Sequence, residues 1–225
     1  PMIIFGAVFN FSDKKSYQGI GKVLLGLGFI LLGIDYMKDG FEVMQNKLDL
    51  SKYALEGYLG ALVYLLFGIV ATIIMHSSAA TMALTIAALA TNQIIFINAI
   101  ELAIGANIGT TITAILGSIP SNANGKRVAA AHFIFNIVSA VLMFIFLYQL
   151  MDLTIFLASK IGIADNDYGM MLALYHTLTN ILGVMIAYPL TNQFVRYLET
   201  LFTKTETFAL KPLYLDNVVI NVPDA

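Results

Sequence analysis

Long apolar segments separated by short polar ones run along the whole chain. Apolar stretches of this length with almost no charge are typical of helices that enter or cross a lipid bilayer. We therefore predict an all-α integral membrane protein. The predicted membrane segments are residues 19–41, 57–75, 81–96, 98–118, 128–151 and 169–194.

Two interruptions of this pattern carry no formal charge: residues 76–81 (His-Ser-Ser-Ala-Ala-Thr) and 105–111 (Gly-Ala-Asn-Ile-Gly-Thr-Thr). Glu101 is the only formal charge between Gly57 and Gly125, so we expect both interruptions at membrane depth. At that depth polar backbone is tolerated only inside protein or beside a wet cavity, which is where a transporter holds its substrate. Either interruption alone could be a close contact between helices through small residues. The two together favour a binding site.

The first interruption lies between two apolar segments, and a turn in water would normally be charged. We therefore predict a re-entrant helical hairpin whose tip is residues 76–80. The hydroxyl of Ser78, or of a neighbour, can cap the second helix of the hairpin. The amides of its first turn could instead hold a phosphate or a carboxylate. The second interruption predicts a broken transmembrane helix over residues 98–118, in which Glu101 faces the protein interior or a counter-ion.

Basic residues set the predicted orientation. Lys126 and Arg127 follow a polar turn beside a membrane span, and the positive-inside tendency places them in the cytoplasm. An outer loop with a short interfacial helix is then expected at residues 152–167, and the C-terminal tail is cytoplasmic. The predicted organisation has three parts. These are the end of a preceding segment with a polar linker (1–18), a transmembrane transport domain (19–197, with a solvated loop or surface helix at 38–56) and a cytoplasmic linker towards a further domain (198–225).

Composition limits the other possibilities. The chain is 59% hydrophobic and 12% charged with a net charge of -2, so it offers no basic surface for nucleic acid. It contains no cysteine, which excludes disulfides. Its three histidines lie in separate segments and define no metal-ligand spacing.

Two polar stripes, His132 with Asn136 and His176 with Asn180, are expected to hydrogen-bond between helices.

Together the two interruptions resemble the signature of the sodium/phosphate cotransporter family. Residues 76–81 are similar to the Gln-Ser-Ser-Ser motif of its hairpin, with His76 at the glutamine and Ala79 at the third serine. Residues 105–111 match its Gly-Ala-Asn-Ile-Gly-Thr-Thr motif. Further resemblances are Gly68, Thr72, the end of a second repeat at residues 126–136, and at residues 212–216 the linker into the PhoU-like domain of bacterial members. The chain thus resembles the second repeat, one half of an inverted-repeat transporter.

The resemblance implies a sodium-coupled inorganic phosphate symporter that takes phosphate into the cytoplasm across the inner (plasma) membrane. It implies no cofactor besides sodium as the coupling ion, and no enzymatic activity. The implied partners are phosphate, sodium, the lipid bilayer, and either a first repeat or a second copy of the chain in a homodimer. The implied phosphate-binding residues are His76, Ser77, Ser78, Thr81 and Asn107. The implied sodium ligands are Thr72, Ser77, Ser78, Asn107, Thr110 and Thr111.

Charge alone also favours cation coupling. No Lys or Arg lies between Tyr53 and Gly125, and a helix N-terminus supplies only about half a positive charge. A phosphate dianion would therefore need bound cations to neutralise it.

Two other hypotheses are open: a non-transporting anion sensor or scaffold, and an intramembrane serine hydrolase. The hydrolase would use Ser77 or Ser78 with His132 or His176, although the chain has no Gly-x-Ser-x-Gly elbow.

Overall fold

A computed structural model describes residues 1–45 and 57–203, with side chains described for 1–43 and 57–203. Within these ranges the chain is all-α, as predicted. Five of its helical stretches are long and apolar enough to cross a membrane. The helices are α1 (Met2–Asn10), α2 (Lys15–Gln45), α3 (Gly57–Met75), α4 (Ser78–Ala90), α5 (Phe96–Ser118), α6 (Ala123–Ile145), α7 (Leu147–Ile161), α8 (Tyr168–Ala187), a 3-10 turn (Tyr188–Leu190) and α9 (Thr191–Leu201).

Helices α3 and α5 form the centre of the protein and lie against each other in parallel. Their closest approach is made by glycines that face the backbone of the other helix. A Cβ atom on Gly68 would meet the Leu102 carbonyl, and one on Gly105 would meet the Leu65 carbonyl. The side chains around this seam form one apolar core with parts of α4, α6, α7 and α8. Small residues thus let two helices touch where lipid gives them no hydrophobic reason to associate.

The predicted break in the helix over residues 98–118 is wrong, because α5 is continuous from Phe96 to Ser118. Gly105 is not a hinge but a contact point for the α3 backbone. The hydroxyls that follow bond within the helix: Thr110 Oγ1 donates to the Asn107 carbonyl at 2.8 Å and Thr111 Oγ1 to the Ile108 carbonyl at 2.7 Å. Such bonds occupy hydroxyl groups without opening the backbone ladder.

Helix α4 returns antiparallel from the end of α3. At 1.5 Å per residue its 13 residues reach about 20 Å, less than the ~30 Å of a bilayer core, whereas the 19 residues of α3 reach about 28 Å. The hairpin is therefore made of one long and one short apolar helix. Whether it re-enters the membrane, as predicted from the sequence, stays a prediction.

The second half of the chain differs from the prediction in its helix bounds. The expected span over residues 128–151 is α6, which begins and ends earlier. The loop with a short helix expected at 152–167 contains the last ten residues of α7, which begins earlier, at Leu147, and residues 162–167 connect it to α8. The expected last span, residues 169–194, is divided by the 3-10 turn that contains Pro189. Residues 46–56 and the tail from 204 to 225, including the predicted linker at 212–216, lie outside the described residues.

The polar stripes of α6 and α8 do not join the two helices as expected. Asn136 Nδ2 donates to the His132 carbonyl at 2.9 Å, and Asn180 Nδ2 donates to the His176 carbonyl at 2.7 Å. Each asparagine therefore satisfies its amide one turn back on its own helix. The spacing of four residues that put His and Asn on one face also makes this local bond available.

The two ends of the helical body have different chemistry. The ring of Tyr58 is tilted against Phe144 and edge-on to Tyr148, with centroids 5.6 and 6.0 Å apart, and the ring centroid of Phe96 lies 5.7 Å from that of Tyr168. At the opposite end Arg127 binds the C-terminus of α9: its Nε and Nη2 donate to the Phe202 carbonyl at 3.0 and 2.6 Å. The basic pair and the start of the C-terminal tail therefore share one end, as the predicted topology requires.

Candidate functional site

The hairpin tip is built by residues 76–78. His76 has a φ of 51°, in the left-handed region, which reverses the chain between α3 and α4. Ser77 then adopts an extended conformation as the N-cap of α4, and its Oγ accepts a hydrogen bond from the Ala80 N–H at 3.2 Å. The prediction that Ser78 or a neighbour caps this helix is confirmed, with Ser77 as the cap. Ser78 is the first helical residue, and its hydroxyl has no partner among the described residues.

Two buried hydroxyls connect the two helices of the hairpin. Thr72 Oγ1 on α3 and Thr81 Oγ1 on α4 lie 2.7 Å apart, and both residues are almost completely buried. Thr81 Oγ1 also donates to the Ser77 carbonyl at 3.2 Å. Because a hydroxyl has only one hydrogen, Thr72 is then the donor to Thr81. This chain of hydrogen bonds runs from α3 through α4 to the cap of the tip.

Thr72 also joins the hairpin to the second motif. A Cβ atom on Gly109 of α5 would lie 2.6 Å from the Thr72 Cβ, so only glycine fits there without displacement. The two interruptions, about thirty residues apart in sequence, thus meet at one threonine. No described hydrogen bond connects Ser77 or Ser78 with Asn107, Thr110 or Thr111.

The predicted site residues differ in exposure. Thr72, Thr81 and Thr111 are buried, and Ser77, Ser78, Asn107 and Thr110 are half-buried. His76 is exposed at the tip. A ligand could therefore reach the serines and Asn107 directly, whereas the buried threonines lie behind them.

A comparison with protein families identifies the chain. Residues 55–172, just over half of its length, match the family described as Na+/Pi-cotransporter. The chain belongs to this family. The matched range runs from the start of α3 into α8 and includes both the hairpin and the Gly-Ala-Asn-Ile-Gly-Thr-Thr motif. The family is one of membrane transporters rather than enzymes, in agreement with the multi-pass helical architecture.

The curated relatives that match share less than 30% of their residues with this chain over the matched range and are longer than it. The chain is 29% identical over 140 residues to the "uncharacterized protein YqeW" of Bacillus subtilis, covering 61% of this chain and 42% of that protein. It is 27% identical over 160 residues to the "putative inorganic phosphate export protein YjbB" of Escherichia coli, covering 70% of this chain and 28% of that protein. The chain thus spans less than half the length of either relative. No solved structure matches it.

Membership of this family separates the function hypotheses. The serine hydrolase hypothesis requires a serine hydrogen-bonded to a histidine. In the described residues neither Ser77 nor Ser78 bonds to His132 or His176, and Ser77 Oγ is already engaged by the Ala80 amide. Neither the family nor the geometry supports the hydrolase hypothesis, in agreement with the expectation of no enzymatic activity.

Several buried polar residues were not predicted as part of the site. Thr85 Oγ1 on α4 donates to the Thr81 carbonyl at 2.8 Å. Gln93 and Asn98 are 1% and 4% exposed, and both keep amide atoms without a hydrogen-bond partner among the described residues. Glu101, 3% exposed, faces the interior as predicted. The spacing of Thr85 four residues after Thr81, and of Asn98 three before Glu101, was the available signal for a shared helix face.

Proposed function

We propose that this chain forms one half of the transport core of a sodium-coupled inorganic phosphate symporter. One observation carries the proposal: the hairpin tip and the Gly-Ala-Asn-Ile-Gly-Thr-Thr helix meet at Thr72, in a chain that belongs to the Na+/Pi-cotransporter family. Half-helix ends and hydroxyl-rich turns inside membranes are sites where transporters bind ions and substrates.

Phosphate would bind at the free donors of the hairpin tip. The backbone N–H groups of Ser78 and Ala79, in the first turn of α4, have no described partner. The hydroxyl of Ser78 and the amide of Asn107 are likewise without a described partner and only half-buried. Free N–H and hydroxyl groups donate to anions, and the helix N-terminus is electropositive, so these groups are suited to bind phosphate. His76, exposed beside Ser77, would add a further donor.

Sodium would bind at oxygens whose hydrogens are already used. Thr81, Thr110 and Thr111 all donate to backbone carbonyls, so each presents only lone pairs to its surroundings. An oxygen of this kind suits a hard cation and is poorly suited to an anion. We therefore assign Thr110 and Thr111 to sodium, together with Thr72 and the outward lone pairs of Ser77, Ser78 and Asn107. This assignment keeps the sodium ligands of the sequence hypothesis and removes Thr81 from its phosphate-binding residues.

The other half of the transport core would come from a first repeat or a second copy of the chain. Apolar side chains cover the outer faces of α2, α3 and α6, and many of them are more than half exposed, Val23, Phe29, Phe67 and Val128 among them. Lipid and a partner half are both suited to cover such faces. We propose the inner (plasma) membrane as the location, with Lys126, Arg127 and the C-terminal tail in the cytoplasm.

The direction of transport depends on the ion gradients and on the charge that moves with phosphate. Each net positive charge that enters the cell gains about 2.3 kcal/mol per 100 mV of membrane potential. If more sodium than phosphate charge enters, uptake is favoured, and we propose uptake. Export is the second candidate, because the printed name of the Escherichia coli relative describes phosphate export.

Reconstitution of the full-length protein into proteoliposomes tests these proposals. Uptake of radiolabelled phosphate that requires an inward sodium gradient would support the symporter, whereas sodium-independent efflux from preloaded vesicles would replace it with export. Phosphate binding without flux, in a folded and reconstituted preparation, would identify a sensor or scaffold.

Ser78→Ala provides the residue-level test. We expect it to reduce sodium-dependent flux at least about tenfold without unfolding the protein, because it removes a hydroxyl that no structural hydrogen bond uses. Ser159→Ala on the exposed face of α7 is the matched control and should transport like the wild type. Equal flux of the two variants would contradict the assignment of Ser78.

A further inference from the structure

Glu101 and Asn98 form a buried polar group near the start of α5, apart from the hairpin tip. Glu101 is 3% exposed, and its Oε2 accepts a hydrogen bond of 3.1 Å from Asn98 Nδ2 one turn earlier. Eight residues separate Glu101 from Gly109, where α5 contacts the hairpin, and eight residues of helix correspond to about 12 Å. Glu101 is therefore well removed from the proposed phosphate site along the same helix.

The charge of Glu101 has no described counter-charge. No Lys or Arg occurs between Tyr53 and Gly125, and no ion pair to Glu101 is present within the described ranges. A carboxylate buried inside a membrane protein is costly unless it is neutralised. One neutral amide donor from Asn98 does not supply the missing charge.

Two buried amides, those of Asn98 and Gln93, keep an oxygen atom without a hydrogen-bond partner among the described residues. Asn98 is 4% exposed, its Nδ2 bonds to Glu101, and the Oδ1 of the same amide group has no partner among the described residues. Gln93 lies five residues before Asn98 in the connection from α4, is 1% exposed, and has neither Oε1 nor Nε2 partnered in the described part of the chain. Buried polar atoms without partners are rare in native proteins and are explained by a bound ion, a bound water or local strain.

We propose that Glu101 and Asn98, with Gln93 as a further oxygen donor, bind a monovalent cation at the start of α5. Carboxylate and amide oxygens are the ligands that hard cations prefer, and a single carboxylate neutralises one positive charge. The bound ion would supply the counter-charge of Glu101 and occupy the free Oδ1 of Asn98. The identity of the ion as Na⁺ rests on the proposed sodium coupling, and the site itself is separate from the residues assigned to that function.

Direct binding of ²²Na⁺ to the purified full-length protein, in lipid nanodiscs and without phosphate, tests this site. We expect Glu101→Gln to remove one bound Na⁺ per chain, because the amide keeps the size and the bond from Asn98 but loses the charge. Asn98→Ala removes the neutral oxygen together with the amide donor of Glu101 but keeps the carboxylate, and it should weaken Na⁺ binding about tenfold. It also provides a second test if Glu101→Gln does not fold.

Asp152→Asn is the matched control, since it removes an exposed carboxylate from α7, and it should bind Na⁺ like the wild type. Unchanged stoichiometry and affinity in folded Glu101→Gln, or no Na⁺ binding by the wild type, would overturn the proposed site. Phosphate flux measured in parallel separates the two proposals. Sodium-driven flux with unaltered ²²Na⁺ binding in Glu101→Gln refutes only the site, whereas Glu101-dependent binding without sodium-driven flux refutes only the symporter.

Discussion

The hydroxyl of Thr72 donates to the hydroxyl of Thr81 across 2.7 Å, and this bond holds the two helices of the hairpin together behind its tip. Both residues are almost fully buried, and Thr72 also packs against Gly109 of α5. One side chain therefore fixes the distance between both helices of the hairpin and the helix that carries the second motif. The proposed phosphate and sodium ligands take their relative positions from it.

Thr72→Val should destabilise the protein and impair transport together. Valine keeps the shape of threonine but leaves Thr81 Oγ1 without its donor, at a cost of about 1 kcal/mol. We expect a lower thermal unfolding midpoint and reduced sodium-dependent phosphate flux. Thr177→Val is the control, because Thr177 is exposed on α8 and bonds only to its own helix at the Ala173 carbonyl. If the two variants unfold at the same temperature, the bond across the hairpin contributes nothing to stability.

Gly105→Ala should be strongly destabilising even though alanine favours helix. The added methyl group would strike the Leu65 carbonyl of α3, so the helices must separate, and overpacking of this kind costs about 1–3 kcal/mol. Gly117→Ala on the same helix is the control, since nothing lies within 4 Å of its added carbon. That change should stabilise α5 by up to about 1 kcal/mol. Thermal unfolding of both variants in detergent would measure the difference, and a stable Gly105→Ala would argue against the close contact of α3 and α5.

Substitutions at Ser77 and Ser78 should separate structure from function. Ser77→Ala removes the cap of α4 and should cost about 0.5–2 kcal/mol, while Ser77→Asn should retain most of the stability because asparagine also caps helices. Ser78→Ala leaves the cap in place and should unfold like the wild type. Chemical or thermal unfolding of the three variants decides the point, and a Ser78→Ala protein less stable than Ser77→Ala would reverse the two roles.

Arg127→Lys should loosen the end of α9. Arg127 donates two hydrogen bonds to the Phe202 carbonyl and a third, at 3.0 Å, to Asn124 Oδ1. Lysine lacks the planar fork that makes these bonds together. Because the chain contains no cysteine, spin labels at Ser121→Cys and Thr203→Cys can report the distance between the turn before α6 and the end of α9. We expect a broader distance distribution in Arg127→Lys and no change in Arg196→Lys, whose side chain is exposed. Identical distributions would show that Arg127 does not hold this end.

The sequence was informative wherever a residue's role depends on its own segment. Length and polarity decide whether a segment enters a bilayer, so the helical membrane architecture and the uncharged turn at 76–80 followed from the chain alone. The hydroxyl cap of α4 was predicted for the same reason, because a cap bonds only to the next turn. The interior position of Glu101 also followed, since an isolated charge in an apolar helix has to avoid lipid.

Only the tertiary structure decided the role of residues whose effect depends on what lies opposite. A glycine pair is compatible both with a broken helix and with close helix packing, and the α3 backbone beside Gly105 made it packing. The amide of Asn136 could reach a neighbouring helix or its own carbonyl ladder, and it bonds to the His132 carbonyl on α6 itself. The meeting of Thr72 with Thr81 and Gly109 depends on how three helices pack. The sequence thus determined the membrane character, since partition into lipid is a property of each segment. The tertiary structure decided how the residues of the candidate site are arranged, since contacts belong to pairs of segments.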